Sequence, residues 1–469
     1  MCVARHAMSE LHELSAGELL ALYRRKEASP VEVTRAVLAH IERFEPQLQA
    51  TYALDADAAL AAARASEARW ARGEPLALDG VPVTIKENIA TRGTPVPLGT
   101  AATELIPAAD DAPPAARLRE AGTVLLAKTT MPDYGMLSSG LSSFHPLTRN
   151  PWNLRCNPGG SSAGAAAAAA AGYGPLHLGT DLGGSIRLPA GWCGVFGLKP
   201  SLGRVPIHPP YTGRAAGPMT RSVADAALLM RALALPDARD SMSLPPQDID
   251  WSDLDREPRG LRIGLLLDAG WGLGVQPEVR AAIEAAARQF EAADAVVEPM
   301  RSFTTRVMAD GMFLFWRMRS WLDINALSDE RRARVLPFIV QWARGAAGAS
   351  GEQMFRAQSQ MHAIREATVA ACRPYDFVLS PVSPVASYPA TQPSPSNDPE
   401  HALEHIGFTL PYNMSEQPAA SVNCGYGASG VPIGLQIAGR RFDDLGVLQM
   451  ARCFERLRPA QKPWPAPPR

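Results

Sequence analysis

Between about residues 80 and 200 the chain keeps switching between short apolar runs, Gly/Pro turns and helical stretches, and this alternation restricts its fold more than any other feature. The runs Val81 to Ile85, Thr123 to Ala127 and Leu176 to Leu178 are of strand length, and strands interleaved with helices pack as an α/β sheet. Upstream, residues 9–72 read as helical. Leu11, Leu14, Leu19 and Leu22, then Val33, Val37 and Ile41, recur mostly every three to four residues, the period of a helix with one buried face. Ser29-Pro30 marks a helix start, because proline lacks only a donor that the first turn cannot use. The stretch from Asp55 to Arg72 is rich in alanine, the strongest helix former.

Downstream, residues 231–370 read as a mostly helical middle, entered through a Pro/Asp/Ser-rich stretch from Pro236 to Asp255 and interrupted by one strand-like run, Leu261 to Leu267. Residues 371–457 return to strands at Phe377 to Leu379, Ala420 to Asn423 and Ile433 to Ile437. The Pro/Ser-rich segment from Pro381 to Pro399 is long enough for a functional loop. The Pro-rich tail after Pro459 is expected to be disordered. There is no internal repeat, and the seven consecutive alanines from Ala165 to Ala171 imply a tightly packed helix.

With 46% hydrophobic and 20% charged residues over 469 positions, the chain can bury a large core. Its 46 basic and 47 acidic side chains nearly cancel, so nucleic acid and anionic lipid are not the expected partners and a small molecule is. No stretch approaches the roughly 18 apolar residues of a membrane span. The first ten residues, with Arg5, His6 and Glu10, lack the apolar run of a signal peptide. Cys2, Cys156, Cys193, Cys372, Cys424 and Cys453 follow no regular interval and read as free thiols of a cytoplasmic protein. No Cys/His spacing suits zinc.

Three segments can carry chemistry: Asp79-Gly-Val-Pro-Val-Thr-Ile-Lys86-Glu-Asn88, a strand ending in lysine; Asn157-Pro-Gly-Gly-Ser161-Ser-Ala-Gly164, a turn opening the alanine helix; and Gly179-Thr-Asp-Leu-Gly-Gly-Ser185-Ile-Arg187, a turn after a short strand. In the third, backbone N–H groups from Leu182 to Ser185 can converge on one oxygen, the requirement of an oxyanion hole. Alone, such a turn is more often a phosphate loop or plain structure. A hydroxyl nucleophile also needs a base, and lysine at its ordinary pKa of about 10.4 is protonated. Bringing it to about 7 costs roughly 4–5 kcal/mol, within reach of burial, which shifts lysines by up to about 3–5 units. Lys86 follows an apolar strand, so burial is expected; neighbouring Glu87 points to the other face. A lone strand-end lysine, without the two serine turns, is ordinarily a solvated charge.

In this order and spacing, with 185 − 161 = 24 and 161 − 86 = 75 residues between the key positions, the segments resemble the amidase signature family. The flanking runs Thr148 to Trp152, Gly194 to Pro200, Gly217 to Val223, Ser380 to Pro384, Asn413 to Pro418 and Gly430 to Gln436 resemble it too. Similarity covers most of 75–230 and 375–457. The resemblance implies a single domain, an α/β/α sandwich around a large mixed sheet with helical decorations. It implies an amidase acting on linear carbon–nitrogen bonds, with Ser185 the acyl-forming nucleophile, Ser161 the bridge after a cis Gly160–Ser161 peptide, and Lys86 the neutral base. Leu182, Gly183, Gly184 and Ser185 would form the oxyanion hole. Thr180, Asp181 and Arg187 would brace the site, and Ser138 would contact substrate. No metal or cofactor is implied, and a homodimer is an open alternative to a monomer. Ala163 and Glu87 depart from the family's usual glycine and aspartate.

Three rival readings follow. Gly160-Ser-Ser162-Ala-Gly164 fits the G-x-S-x-G pattern of α/β-hydrolases with Ser162 as nucleophile. Asn150 to Gly159 offers no preceding strand, however, and His362, His401 and His405 sit in no recognisable setting. The resemblance also includes the glutaminase subunit of tRNA-dependent amidotransferases. The cluster Met312, Phe313, Phe315, Trp316, Met318, Trp321, Phe338 and Trp342 would favour a stand-alone hydrolase if it lines an apolar pocket, although such residues at helical spacing are more often core. A binding protein without activity is the third reading, and the filled Lys86, Ser161 and Ser185 positions argue against it.

Overall fold

A computed structural model describes residues 8–467. The expectation about the first ten residues therefore falls largely outside the described residues, as does Cys2. Eleven strands form one sheet: β1 (Thr51–Tyr52), β2 (Pro82–Lys86), β3 (Val124–Thr129), β4 (Leu176–Asp181), β5 (Phe196–Lys199), β6 (Ala215–Thr220), β7 (Arg262–Leu266), β8 (Val296–Met300), β9 (Phe377–Pro381), β10 (Ala419–Tyr426) and β11 (Pro432–Ala438). Their order is β1-β3-β2-β4-β6-β5-β10-β11-β9-β7-β8. β2 runs parallel to both β3 and β4, and β7 runs parallel to both β8 and β9; the remaining pairs are antiparallel. The sheet is mixed, as expected.

Helices cover both faces. On one, Pro113–Glu120, Val223–Leu233, Pro277–Ala292 and Asp444–Leu457 pack on Val83, Ile85, Leu176, Leu178, Leu435 and Ile437. On the other lie the N-terminal helices, the alanine helix Ala163–Ala171 and the short helix Arg187–Cys193. The helix starts read in the N-terminal segment are correct, but β1 (Thr51–Tyr52) interrupts the span read as helical. Ser29 caps Pro30–Leu48 through a reciprocal pair with Glu32, and Pro30 occupies its first turn. Asp55 caps the alanine-rich Ala56–Arg72.

The middle segment contains a second strand, β8, that the sequence reading missed. β8 is a half-exposed edge strand carrying Pro299, and both features weaken the strand signal. β5 and β6 were also missed. They are short, contain Gly197, Gly217 and Pro218, and are buried throughout, so no polar alternation marks them. The tail after Pro459 is not free: Trp464 packs at a tilt against Trp152 and lies under the Arg221 guanidinium, and Gln461 accepts from Asn423. Among the described residues no helix is long and apolar enough to cross a membrane, and five cysteines are free thiols.

The alanine run has a packing cause. Ala167, Ala168 and Ala171 face Val37, Val124 and Leu126, while Ala165, Ala166, Ala169 and Ala170 face Ile186, Ala190 and Met219. Squeezed from both sides, the helix admits only methyl-sized side chains. Gly164 goes further: its N–H donates to the Thr130 carbonyl, and a Cβ there would overlap the Ala50 carbonyl and the Thr130 backbone. Gly164→Ala should therefore destabilise by about 1–3 kcal/mol through overpacking, although alanine is the better helix former by about 1 kcal/mol. Chemical denaturation measures the sign.

Candidate active site

Parallel neighbours end at the same edge of a sheet, and ligand sites in α/β proteins gather at those carboxyl ends. β2 ends in Lys86 and β4 in Thr180 and Asp181, with Ile85 opposite Leu178 in register. Lys86 is fully buried, its Nζ 2.8 Å from Ser161 Oγ and 3.0 Å from Thr180 Oγ1. Asn88 Nδ2 donates to the same threonine oxygen at 3.1 Å. Burial pushes the Lys86 ammonium down to about 7; Asp181 and Glu87 pull the other way, and Arg214 adds to the lowering. Glu87 is itself occupied, accepting from the Gly99 N–H and paired with His145.

The turn after β4 is built around the Asp181 carboxylate. It accepts from the Gly184 and Ile186 N–H groups at 2.8 and 3.1 Å, from Arg187 Nε and Nη2 at 3.0 and 2.9 Å, and from Asn413 Nδ2 at 2.9 Å. Burial opposes ionisation, but the Arg187 charge and hydrogen bonds hold this carboxyl well below the usual carboxylate range. Arg187, fully buried, also donates to the Thr409 carbonyl, Gln436 Oε1 and Asn413 Oδ1. Gly184 has φ +130°, and a Cβ there would strike Thr409, so this corner requires glycine.

That geometry narrows the expected oxyanion hole. The Gly184 N–H is committed to Asp181, whereas the Leu182, Gly183 and Ser185 amides have no acceptor among the described residues. Ser185 is half-buried, and its hydroxyl likewise has no partner there. It faces a narrow cavity of about 40 Å³ lined also by Met136, Leu137, Leu182, Leu188, Trp316 and Ile406. The Gly160–Ser161 peptide is cis, the conformation that the resemblance implied. Ser138 lines the same cavity, with its hydroxyl held 2.7 Å from His405 Nε2.

Ser162 is not placed as a nucleophile. Its buried hydroxyl donates to the Thr180 carbonyl and accepts from the Thr180 N–H, clipping the alanine helix to β4. Of the aromatic cluster, Trp316 reaches the cavity, while Met312, Phe313 and Trp342 are core. The loop 381–399 packs beside the serine turn: the Tyr388 hydroxyl donates to the Ser138 carbonyl, and Asn157 Nδ2 donates to the Ala390 and Gln392 carbonyls at 3.1 Å each. Sequence reasoning quoted Asn88, Asn413 and Gln436 only as flanking residues and assigned them no role. Their signal was a polar side chain inside an otherwise apolar or glycine-rich run.

A mixed sheet whose strand ends deliver a buried amine, hydroxyls and a glycine turn defines an α/β enzyme equipped for acyl chemistry. The chain belongs to the amidase signature family, the amidase family model matching residues 32–448. It is 37% identical over 482 aligned residues to the A subunit of glutamyl-tRNA(Gln) amidotransferase of Myxococcus xanthus (strain DK1622), covering 95% of this chain and 98% of that one. A bacterial aryl acylamidase of the amidase signature family superposes with a TM-score of 0.88 at 33% identity, covering 95% of this chain and 96% of the other. The A subunit of glutamyl-tRNA(Gln) amidotransferase from Thermotoga maritima gives 0.79 at 25% identity, covering 98% and 99%.

Removing one member of a buried ion pair leaves the other uncompensated, which costs about 3–5 kcal/mol. Arg187→Met should therefore lower the unfolding free energy measured by denaturant titration by that order, far more than the same change at exposed Arg72.

Proposed function

We propose that the chain is an amidohydrolase that cleaves the C–N bond of a linear carboxylic amide, and the corresponding ester, through an acyl-enzyme on Ser185. The observation that carries this reading is a fully buried Lys86 amine, pushed to about 7 and 2.8 Å from the Ser161 hydroxyl. As a neutral amine it has a lone pair for the Ser161 proton while Ser161 takes the proton of Ser185. Ser185 Oγ then bonds to the carbonyl carbon, and the oxyanion is met by the free N–H groups of Leu182, Gly183 and Ser185. The proton returns through Ser161 to the leaving nitrogen as the C–N bond breaks, and water hydrolyses the ester by the same relay.

The cavity beside Ser185 favours an apolar group next to the scissile carbonyl, since none of its lining side chains is charged. That lining and the closer superposition on the aryl acylamidase support a stand-alone hydrolase. The 37% identity to the amidotransferase chain supports the second reading, a glutaminase that works with partner subunits. Co-purification with a second protein, or glutaminase activity stimulated by tRNA, would favour it.

Ser185→Ala should abolish turnover of a neutral anilide while leaving the unfolding midpoint within experimental error; normal hydrolysis by that variant overturns the assignment. In the wild type, kcat/KM should rise about tenfold per pH unit below 7 and level off above it, because the deprotonated lysine is the active form. A flat profile from about pH 6 to 9 removes Lys86 as the base.

A further inference from the structure

On the helix Arg306–Asn325, Arg306 pairs with Asp310 and Glu404, and Arg317 pairs with Glu400. Arg319, two residues on, forms no ion pair with any carboxylate of the described residues. Its Nη2 meets Met136 Sδ at 2.9 Å, its guanidinium lies 5.2 Å from the centre of the Tyr211 ring, and its Nε is buried without a hydrogen-bond partner. Arg214 is also without an ion-pair partner among the described residues. Its guanidinium donates to the Pro209 carbonyl, and burial together with the nearby Arg319 charge holds it below its ordinary range. The carboxylate whose charge Arg214 feels, Asp240, has its oxygens taken by the Ile207 and Met242 N–H groups. The Tyr211 hydroxyl, like Arg319 Nε, is a buried polar atom with no hydrogen-bond partner among the described residues.

The position of this cluster is specific. Met136 and Trp316, which lies one helical turn before Arg319, line the cavity that faces Ser185. Tyr211 lines a neighbouring cavity of about 420 Å³ together with Phe315, Met361 and Met414. Arg319 thus touches a wall residue of each cavity, and Lys86 feels the Arg214 charge. Two adjacent cations without a carboxylate partner and a phenol without a hydrogen-bond partner among the described residues, next to wall residues of both cavities, form a recognition site for an anion of carboxylate geometry.

We propose that Arg319, with Arg214 and the Tyr211 hydroxyl, binds a carboxylate carried by the amide substrate, so that the enzyme takes amides with an apolar body and an anionic end. The site is separate from the machinery that breaks the bond, and its meaning as a substrate site rests on the amidohydrolase reading. A carboxylate can sit on the acyl portion or on the amine portion. The shared chemistry is a planar anion at one end of a neutral amide.

Binding is measured on Ser185→Ala, which holds the amide uncleaved, by calorimetric titration with two sets of probes. One is the monoanilides of dicarboxylic acids from succinic to suberic, each beside its methyl ester; the other is 4-acetamidobenzoate beside its methyl ester. At least one carboxylate should bind tenfold or more tightly than its ester. Arg319→Met in that background should remove the difference, and Arg319→Lys should retain part of it, which a residue that merely props Met136 would not do. Which set responds identifies the end that carries the charge. Equal binding of acid and ester throughout both sets overturns the proposal, as does a preference that survives Arg319→Met. If the wild type hydrolyses neither the probes nor a neutral anilide, the amidohydrolase reading fails, while the acid-to-ester comparison still decides the binding site.

Discussion

A carboxylate and a guanidinium, both fully buried, hold the functional end of the sheet together. Asp181 closes the glycine turn by taking the Gly184 and Ile186 N–H groups, and Arg187 ties that turn to β11 through Gln436 and to the 409–413 segment through Thr409 and Asn413. Charges so buried are tolerated only when every remaining donor and acceptor is matched. Here the matching partners come from parts of the chain more than 200 residues apart. The carboxylate claims the Gly184 amide, while Leu182, Gly183 and Ser185, whose amides have no acceptor among the described residues, line the cavity.

Burial dominates the electrostatics of Lys86, and one member of that pair acts against it. An anion beside a buried amine favours the ammonium, and Asp181 acts on Lys86 in that sense. Asp181 is itself paired with Arg187 at 2.9 Å, and Glu87 is occupied by His145 and Gly99. Desolvation is the larger effect and holds the Lys86 ammonium down to about 7. Basicity at this position is set by burial more than by the surrounding charges.

Much of this was readable before the structure. Ser29, Pro30 and Glu32 announced a helix start through local chemistry, and Val81 to Ile85 announced a strand through its apolar run. What escaped were β1, β5, β6 and β8, because a two-residue edge strand is too short to show a period, a buried strand containing Gly or Pro lacks the alternation that marks one at a surface, and an edge strand with Pro299 looks like a loop. The tail after Pro459 was misjudged because its anchor, Trp464 against Trp152 and Arg221, joins residues that have no relation in sequence. In the site, Lys86, Ser161 and Ser185 stood out by motif, whereas Asn88, Asn413, Gln436 and His405 take their places from pairings across the fold.

By itself, then, the sequence determined the α/β class, the local turns and helix starts, and the three segments able to carry acyl chemistry, because those depend on short-range periodicity and on residue types at fixed spacing. The tertiary structure decided which amides of the glycine turn remain free, how far burial lowers the Lys86 ammonium, and which arginines lack a counter-charge. Each of these is a sum over neighbours that the chain brings together only when it folds, and no window of sequence contains that sum.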